Sequence, residues 1–186
     1  MPLVEQVKGL GAAGEVEAFD APDGMPTVYV PVERLVDLCR ALRDTPELRF
    51  AVLLDVVPID LFPREPRFEL SYLLLSPGAG GYGSTPQRLR VKVRVSGADP
   101  RVPSVSGVWT AANWAEREAF DFYGITFDGH PDLRRILMPE DWEGYPMRKD
   151  YPVQIKQPVK TYAPLQVSEE EFVANIENAR AGKRQV

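Results

Sequence analysis

The sequence predicts an α+β fold: a two-layer domain with a mostly antiparallel sheet of about four strands, helices on one face, and an irregular C-terminal strap and tail. Three observations predict it. Residues 50–57, 67–75 and 88–95 are extended runs with no helical pattern between them, as in a meander. Residues 32–43 and 111–123 carry helical periodicity on either side of those runs. The eighteen prolines gather in connections and in the last third, where they forbid a long helix or a central strand.

Taken in order, residues 3–10 form a short helix with Leu3, Val4, Val7 and Leu10 on one side, ended by Gly9-Leu10-Gly11. A loop at 20–26 precedes a short strand at 27–30, which is expected to join the meander. Pro31 suits the first turn of the helix to residue 43, whose core stripe is Val32, Leu35, Val36, Cys39 and Leu42. Cys39 on that stripe is a small buried hydrophobe. The run 50–57 is continuously apolar and predicts a buried strand. A proline-punctuated turn at 58–66 leads to the strand 67–75. Residues 76–87 are glycine-rich and read as a long hairpin loop; they lack the order of a phosphate-binding loop. Residues 88–95 alternate, with Leu89, Val91, Val93 and Val95 inward and Arg88, Arg90, Lys92 and Arg94 outward. That basic row predicts a solvated or edge-protecting face, with an acidic partner as the other reading.

Residues 109–152 hold all three tryptophans and the one histidine. Thr110 is placed to cap a helix over 111–123, and Gly124 sits where a left-handed residue ends one. Trp114, Ala111, Phe122, Ala115, Ala119, Ala112 and Tyr123 share an apolar arc that includes Glu118. A carboxylate there needs a partner, because an unpaired buried charge costs several kcal/mol. Arg134, Arg135, Arg148 and Lys149 are the candidates, while Arg117 and Asp121 are spaced to pair with each other. Ile125 and Phe127 predict a short extended piece, and Asp128-Gly129-His130-Pro131 a tight bend whose histidine bonds backbone. The rest is a strap anchored by Trp142, Tyr145 and Tyr151. The single domain is expected to run from 1 to 152. After it, 153–167 is extended and proline-spaced, and Ser168 with Glu171 forms a capping box for a helix to about 181.

Composition narrows the function. With 44% apolar and 26% charged residues, the chain of 186 suits one soluble domain and a tail. One Cys and one His cannot ligate an iron–sulfur cluster or a structural zinc. A net charge of −5 argues against general nucleic-acid binding. No run approaches a membrane span and the N-terminus has no signal-peptide pattern, so a cytoplasmic location is expected, with any membrane association through partners.

The stretch also resembles a known family. Trp109, Asn113-Trp114, Glu116-Arg117-Glu118, Asp121-Phe122-Tyr123-Gly124, Phe127-Asp128-Gly129-His130-Pro131, Asp132-Leu133-Arg134-Arg135-Ile136-Leu137, Pro139, Asp141-Trp142, Gly144, Pro146 and Arg148-Lys149-Asp150-Tyr151-Pro152 are similar to the signature of the C-type subunit of the proton-translocating NADH–quinone oxidoreductase, bacterial respiratory complex I. Weaker similarity reaches back through Arg88 to Val93, Pro66-Arg67-Phe68-Glu69, Asp60 and Asp55. Met147 stands where that family more often has leucine. The resemblance implies an accessory member of the peripheral arm, on the cytoplasmic side of the bacterial inner membrane. It implies packing chiefly against the quinone-site D-type subunit, with the B-type and I-type subunits nearby. It implies no cofactor of its own: NADH, FMN, iron–sulfur clusters and quinone belong to partners. No catalytic or metal residue is expected; the structural or interface candidates are Glu118, Arg134, Arg135, Trp142, Arg148, Lys149, Asp150 and Tyr151. Two rival readings are the equivalent subunit of a membrane-bound hydrogenase or other quinone-reducing complex, and a free-standing hydrolase using His130 and the helix carboxylates.

Overall fold

The computed structural model describes residues 3–10, 17–78, 85–152 and 168–182. The chain divides into two compact units, Met1–Tyr151 and Pro152–Val186. The first carries a five-stranded sheet in the order β1-β2-β5-β4-β3 and a two-stranded sheet β6-β7. Helix α1 (Leu3–Lys8) buries Val4 and Val7. The strands are β1 (Glu17–Asp20), β2 (Pro26–Tyr29), β3 (Val52–Asp60), β4 (Phe68–Ser76), β5 (Gln87–Val95), β6 (Arg101–Pro103) and β7 (Thr126–Asp128). The meander β3-β4-β5 is antiparallel as expected, but β2 joins β5 in parallel. The fifth strand, β1, pairs antiparallel with β2; four residues are too few for a periodicity signal.

Register decides the core. Phe68, Leu70, Tyr72 and Leu74 pair with Val95, Val93, Val91 and Leu89, so all eight point to one face. There they meet Leu35, Leu38, Cys39 and Leu42 of α2 (Leu35–Asp44) and Ala112 and Ala119 of α3 (Ala112–Tyr123). A 3₁₀ turn at Val32–Arg34 follows Pro31 and opens α2. Leu38 belongs to the buried stripe, whereas Val36 is only partly buried. Cys39 is fully buried; that burial and the nearby Glu116 charge push its thiol well up. Trp109 Nε1 donates to the Phe50 carbonyl at 3.0 Å and Arg43 to the Val108 carbonyl at 2.9 Å, tying the entries of β3 and α3 together.

Two expectations are corrected. The run 50–57 yields an edge strand with one face open: Val52, Leu54, Val57 and Ile59 are exposed, because nothing in an apolar composition says which face is covered. The basic row lies on β5, an interior strand, so it protects no edge. Lys92 and Arg94 instead meet Glu69 at 2.6 and 3.3 Å, Arg94 lies 4.3 Å over the Tyr29 ring, and Arg90 meets Asp23 at 2.6 Å. Within the 76–87 loop, residues 79–84 lie outside the described residues, as do Gly11 and the 153–167 part of the tail.

In the second unit, α4 (Glu169–Gly182) opens with the expected capping box. Ser168 Oγ accepts from the Glu171 N–H at 3.2 Å, and Glu171 accepts from the Ser168 N–H at 3.3 Å. Phe172, Val173 and Ile176 are exposed on this helix.

Candidate functional site: a latched strap

The candidate site is built on α3. Thr110 does not cap it; Ala111 holds that position without a side-chain bond, and Thr110 is part of the preceding turn. Gly124 ends it at φ 68°, with its N–H on the Phe120 carbonyl. The Tyr145 ring packs so closely that a Cβ at Gly124 would meet it at 2.3–2.6 Å, so glycine is required twice over. The buried face of α3 is centred on Glu116, with Ala112, Ala119 and Tyr123 around it at roughly 100° per residue. Trp114 and Glu118 therefore point outward. Glu118, expected inside the apolar arc, is exposed, and the buried acids are Glu116 and Asp121.

Asp121 faces the strap. Its Oδ2 accepts from the N–H groups of Ile136, Leu137 and Met138 at 3.0, 2.7 and 2.8 Å, and its Oδ1 from Arg135 at 2.7 Å. Burial alone would raise its pKa, but these donors outweigh burial and hold the carboxyl below the usual range. Arg135 then reaches onward to the carbonyls of Trp142 and Gly144 at 3.1 and 2.9 Å. One carboxylate and one guanidinium thus fold the strap back on the helix. Arg117 does not pair with Asp121: its guanidinium spans the carbonyls of Arg134 and Arg135 at 3.0 and 3.1 Å and lies 5.3 Å from the Trp114 ring.

A second latch fixes the strap's far end to the sheet. Asp60, at the end of β3, accepts from Arg67 Nε and Nη2 at 3.0 and 2.8 Å, from the Phe62 N–H at 2.9 Å, and from the Lys149 N–H at 2.8 Å. Burial again works against ionisation, but Arg67 and the two backbone donors prevail and hold Asp60 at about 2. Arg67 also grips Asp150 at 2.6 and 2.9 Å. Arg148 donates to the last carbonyl of α3, Tyr123, at 2.6 Å, with the Phe68 ring 5.2 Å and the Tyr145 ring 4.7 Å away. Tyr151 donates to the Glu143 carbonyl at 3.2 Å.

The expected site residues thus divide. Arg135, Arg148, Asp150 and Tyr151 fasten the strap by side chain, and Lys149 and Trp142 do so by backbone. Arg134 is exposed and pairs with Asp132 on the surface, a contact of little energetic weight. Most of the fastening falls to Asp121, Asp60 and Arg67, none of them among the sequence-based candidates. For Asp121 the signal is the density of acids and arginines in an otherwise aromatic stretch; Asp60 and Arg67 lie outside that stretch and appear only in the weaker similarity before it. His130 bonds backbone as expected: Nδ1 accepts the Asp132 N–H at 3.0 Å, which leaves Nε2 to donate to the Asn113 carbonyl at 3.1 Å. Its ring is closed to solvent, so it offers a substrate no access. Among the described residues no three His, Cys, Asp or Glu side chains converge on a metal-sized site, and no helix is long and apolar enough to cross a membrane.

Buried charges fasten this domain's own irregular segment, while apolar side chains stay exposed on β3 and around the strap, a surface of the class that meets other proteins. Residues 28–157 match the family described as "Respiratory-chain NADH dehydrogenase, 30 Kd subunit", and the chain belongs to that family. It is 49% identical over 136 residues to the C subunit of the NADH-quinone oxidoreductase of Roseiflexus sp. (strain RS-1), covering 73% of this chain and 75% of that one. It is 48% identical over 141 residues to the C 2 subunit of the NADH-quinone oxidoreductase of Rhizobium meliloti (strain 1021), covering 76% and 74%. Among solved structures it resembles a trypsin-resistant fragment (1-134) of Nqo5, at 33% identity and TM-score 0.57 over 70% of this chain and 96% of that one. It also resembles a chain of the membrane-bound sulfane sulfur reductase, an archaeal respiratory membrane complex. There the identity is 26% and the TM-score 0.66, over 81% and 84% of the two chains.

Proposed function

We propose that this chain is an accessory component of the peripheral arm of a proton-translocating NADH–quinone oxidoreductase. It braces the quinone-site D-type subunit, lies near the B-type and I-type subunits on the cytoplasmic side of the membrane, and contributes no redox cofactor or catalytic residue. The observation that carries this reading is the strap. Two latches hold it in one shape without a partner, which removes the ordering cost that a mobile segment would add to assembly. Exposed Trp114, Leu137 and Met147 then present apolar surface around the latched region.

The test is isolation of the native complex through a tag on this chain, followed by mass spectrometry and an NADH assay. The D-type subunit is expected to co-purify in equal amount, and the lone chain is expected to leave NADH unoxidised. Recovery of the chain without that partner, or NADH turnover by the chain alone, contradicts the reading. The likeness to the sulfane sulfur reductase chain supports a second reading, the same module in a different respiratory machine. Presence of the NADH-oxidising subunits (the E, F and G types) in the isolate separates the two.

A further inference from the structure

We propose that Glu116 is a buried proton-binding site, connected to the surface through the hydroxyls of Ser104 and Ser106. The acids of the first unit differ sharply in their partners. Asp60, Glu69 and Asp121 each meet an arginine or lysine. Glu116 is fully buried and meets none among the described residues; its bonds come from Ser104 Oγ at 2.6 Å and the Val105 N–H at 2.7 Å. A carboxylate that must ionise without a counter-charge in the interior is stabilised by keeping its proton.

The strands β6 and β7 build this arrangement. Their pairing sets Ser104 beside the start of the turn into α3, with its N–H on the Asp128 carbonyl at 2.8 Å. Ser104 Oγ lies 2.7 Å from Ser106 Oγ, and either can donate. With Glu116 ionised, Ser106 donates to Ser104 and Ser104 to the carboxylate. With Glu116 protonated, both bonds reverse: the acid donates to Ser104 and Ser104 to Ser106. A proton arriving at Ser106 displaces that hydroxyl's own proton to Ser104, and the Ser104 proton passes to Glu116. No bond is lost in either state. Both serines are half-buried, so the chain of hydroxyls runs from core to surface.

The titratable groups around Glu116 come from each packed element. His130, after β7, has Nε2 4.0 Å from Glu116 Oε2. Tyr72 of β4 and Cys39 of α2 are buried, and burial first, then the Glu116 charge, pushes both further up. Among the described residues the Tyr72 hydroxyl has no hydrogen-bond partner and no lysine or arginine meets Glu116, so the surroundings supply a donor but no fixed cation. Burial accordingly lifts Glu116 to about 7, against the pull of the Ser104 and Val105 bonds. A carboxyl raised from the ordinary 4.5 stabilises the fold fully below that pH, and the benefit is lost as pH rises through 7.

The test uses the full chain, unfolded by urea between pH 5 and 8 and followed in parallel by infrared spectroscopy. In the native sequence the folding equilibrium constant is expected to fall roughly 50- to 100-fold across that range, as linkage requires. A carboxylic-acid carbonyl band should vanish with a midpoint near pH 7. Glu116→Gln, whose amide accepts from Val105 and donates to Ser104 as the acid does, should remove both the fall and the band. Ser106→Ala keeps the backbone N–H that donates to Ser104 Oγ at 3.1 Å and supports the ionised arrangement, but removes the acceptor that the Ser104 hydroxyl needs in the protonated one, so the midpoint should move to lower pH. A carbonyl band missing at pH 6, or a pH profile unchanged in Glu116→Gln, overturns the proposal. If that variant does not fold, the native titration and the Ser106→Ala shift decide it.

Discussion

Replacing Asp121 by alanine is expected to destabilise the first unit by about 3–5 kcal/mol, the usual cost of stranding one half of a buried ion pair. Four donors lose their acceptor at once: the N–H groups of Ile136, Leu137 and Met138, and the Arg135 guanidinium. Each orphaned backbone donor adds about 1 kcal/mol or more unless the strap moves out to water. The strap is expected to do that, because Arg135 also loses the charge that aims it at Trp142 and Gly144. Urea unfolding at neutral pH measures the loss. Asp121 is ionised more readily in the fold than out of it. Its contribution is therefore present above the ordinary carboxylate range and lost as pH falls below it. The Asp121→Ala variant should show a shallower acid limb, and a native-like midpoint at neutral pH would mean that Asp121 does not hold the strap.

Arg67→Met carries the second large effect, about 3 kcal/mol. The guanidinium satisfies Asp60 and Asp150 together, each through two bonds, and lies 5.0 Å from both the Phe62 and Phe68 rings. Methionine fills the space between the rings but leaves Asp60 buried without a cation. Arg67→Lys should recover only part of the loss, since one ammonium cannot address two carboxylates in a planar fork. Asp60 sits at about 2 in the native fold, so the stability it contributes is present above about 4 and fades toward pH 2. Without Arg67 that window should move upward. Equal acid stability in Arg67→Met and the native chain contradicts the assignment.

Local features are legible in the sequence wherever one residue type answers one backbone demand. Gly124 ends α3 as a left-handed residue, Ser168 with Glu171 caps α4, and the alternation of β5 holds residue by residue. Pairings between distant strands are less legible. The parallel register of β2 on β5 depends on contacts some sixty residues apart, such as Val28 with Val91, which no local pattern encodes. The central acid of α3 is misplaced for a related reason. Periodicity ranks apolar residues, so it puts Trp114 and Glu118 inside and Glu116 outside. The core tolerates Glu116 because Ser104 and Val105, brought there by β6, satisfy it. Likewise, Asp121 is buried by the strap, an element without periodicity. Between the adjacent arginines, Arg135 meets Asp121 and Arg134 meets Asp132 on the surface, a division that neither residue type nor spacing announces.

A strap held in place before any partner arrives is the central claim, and amide hydrogen exchange on the free chain tests it most directly. The N–H groups of Ile136, Leu137, Met138 and Lys149, all bonded to carboxylates, are expected to exchange far more slowly than an open irregular segment. Protection at the first three should vanish in Asp121→Ala. Free exchange at all four in the native chain would mean that the latches close only upon assembly, and the prebuilt brace would be contradicted.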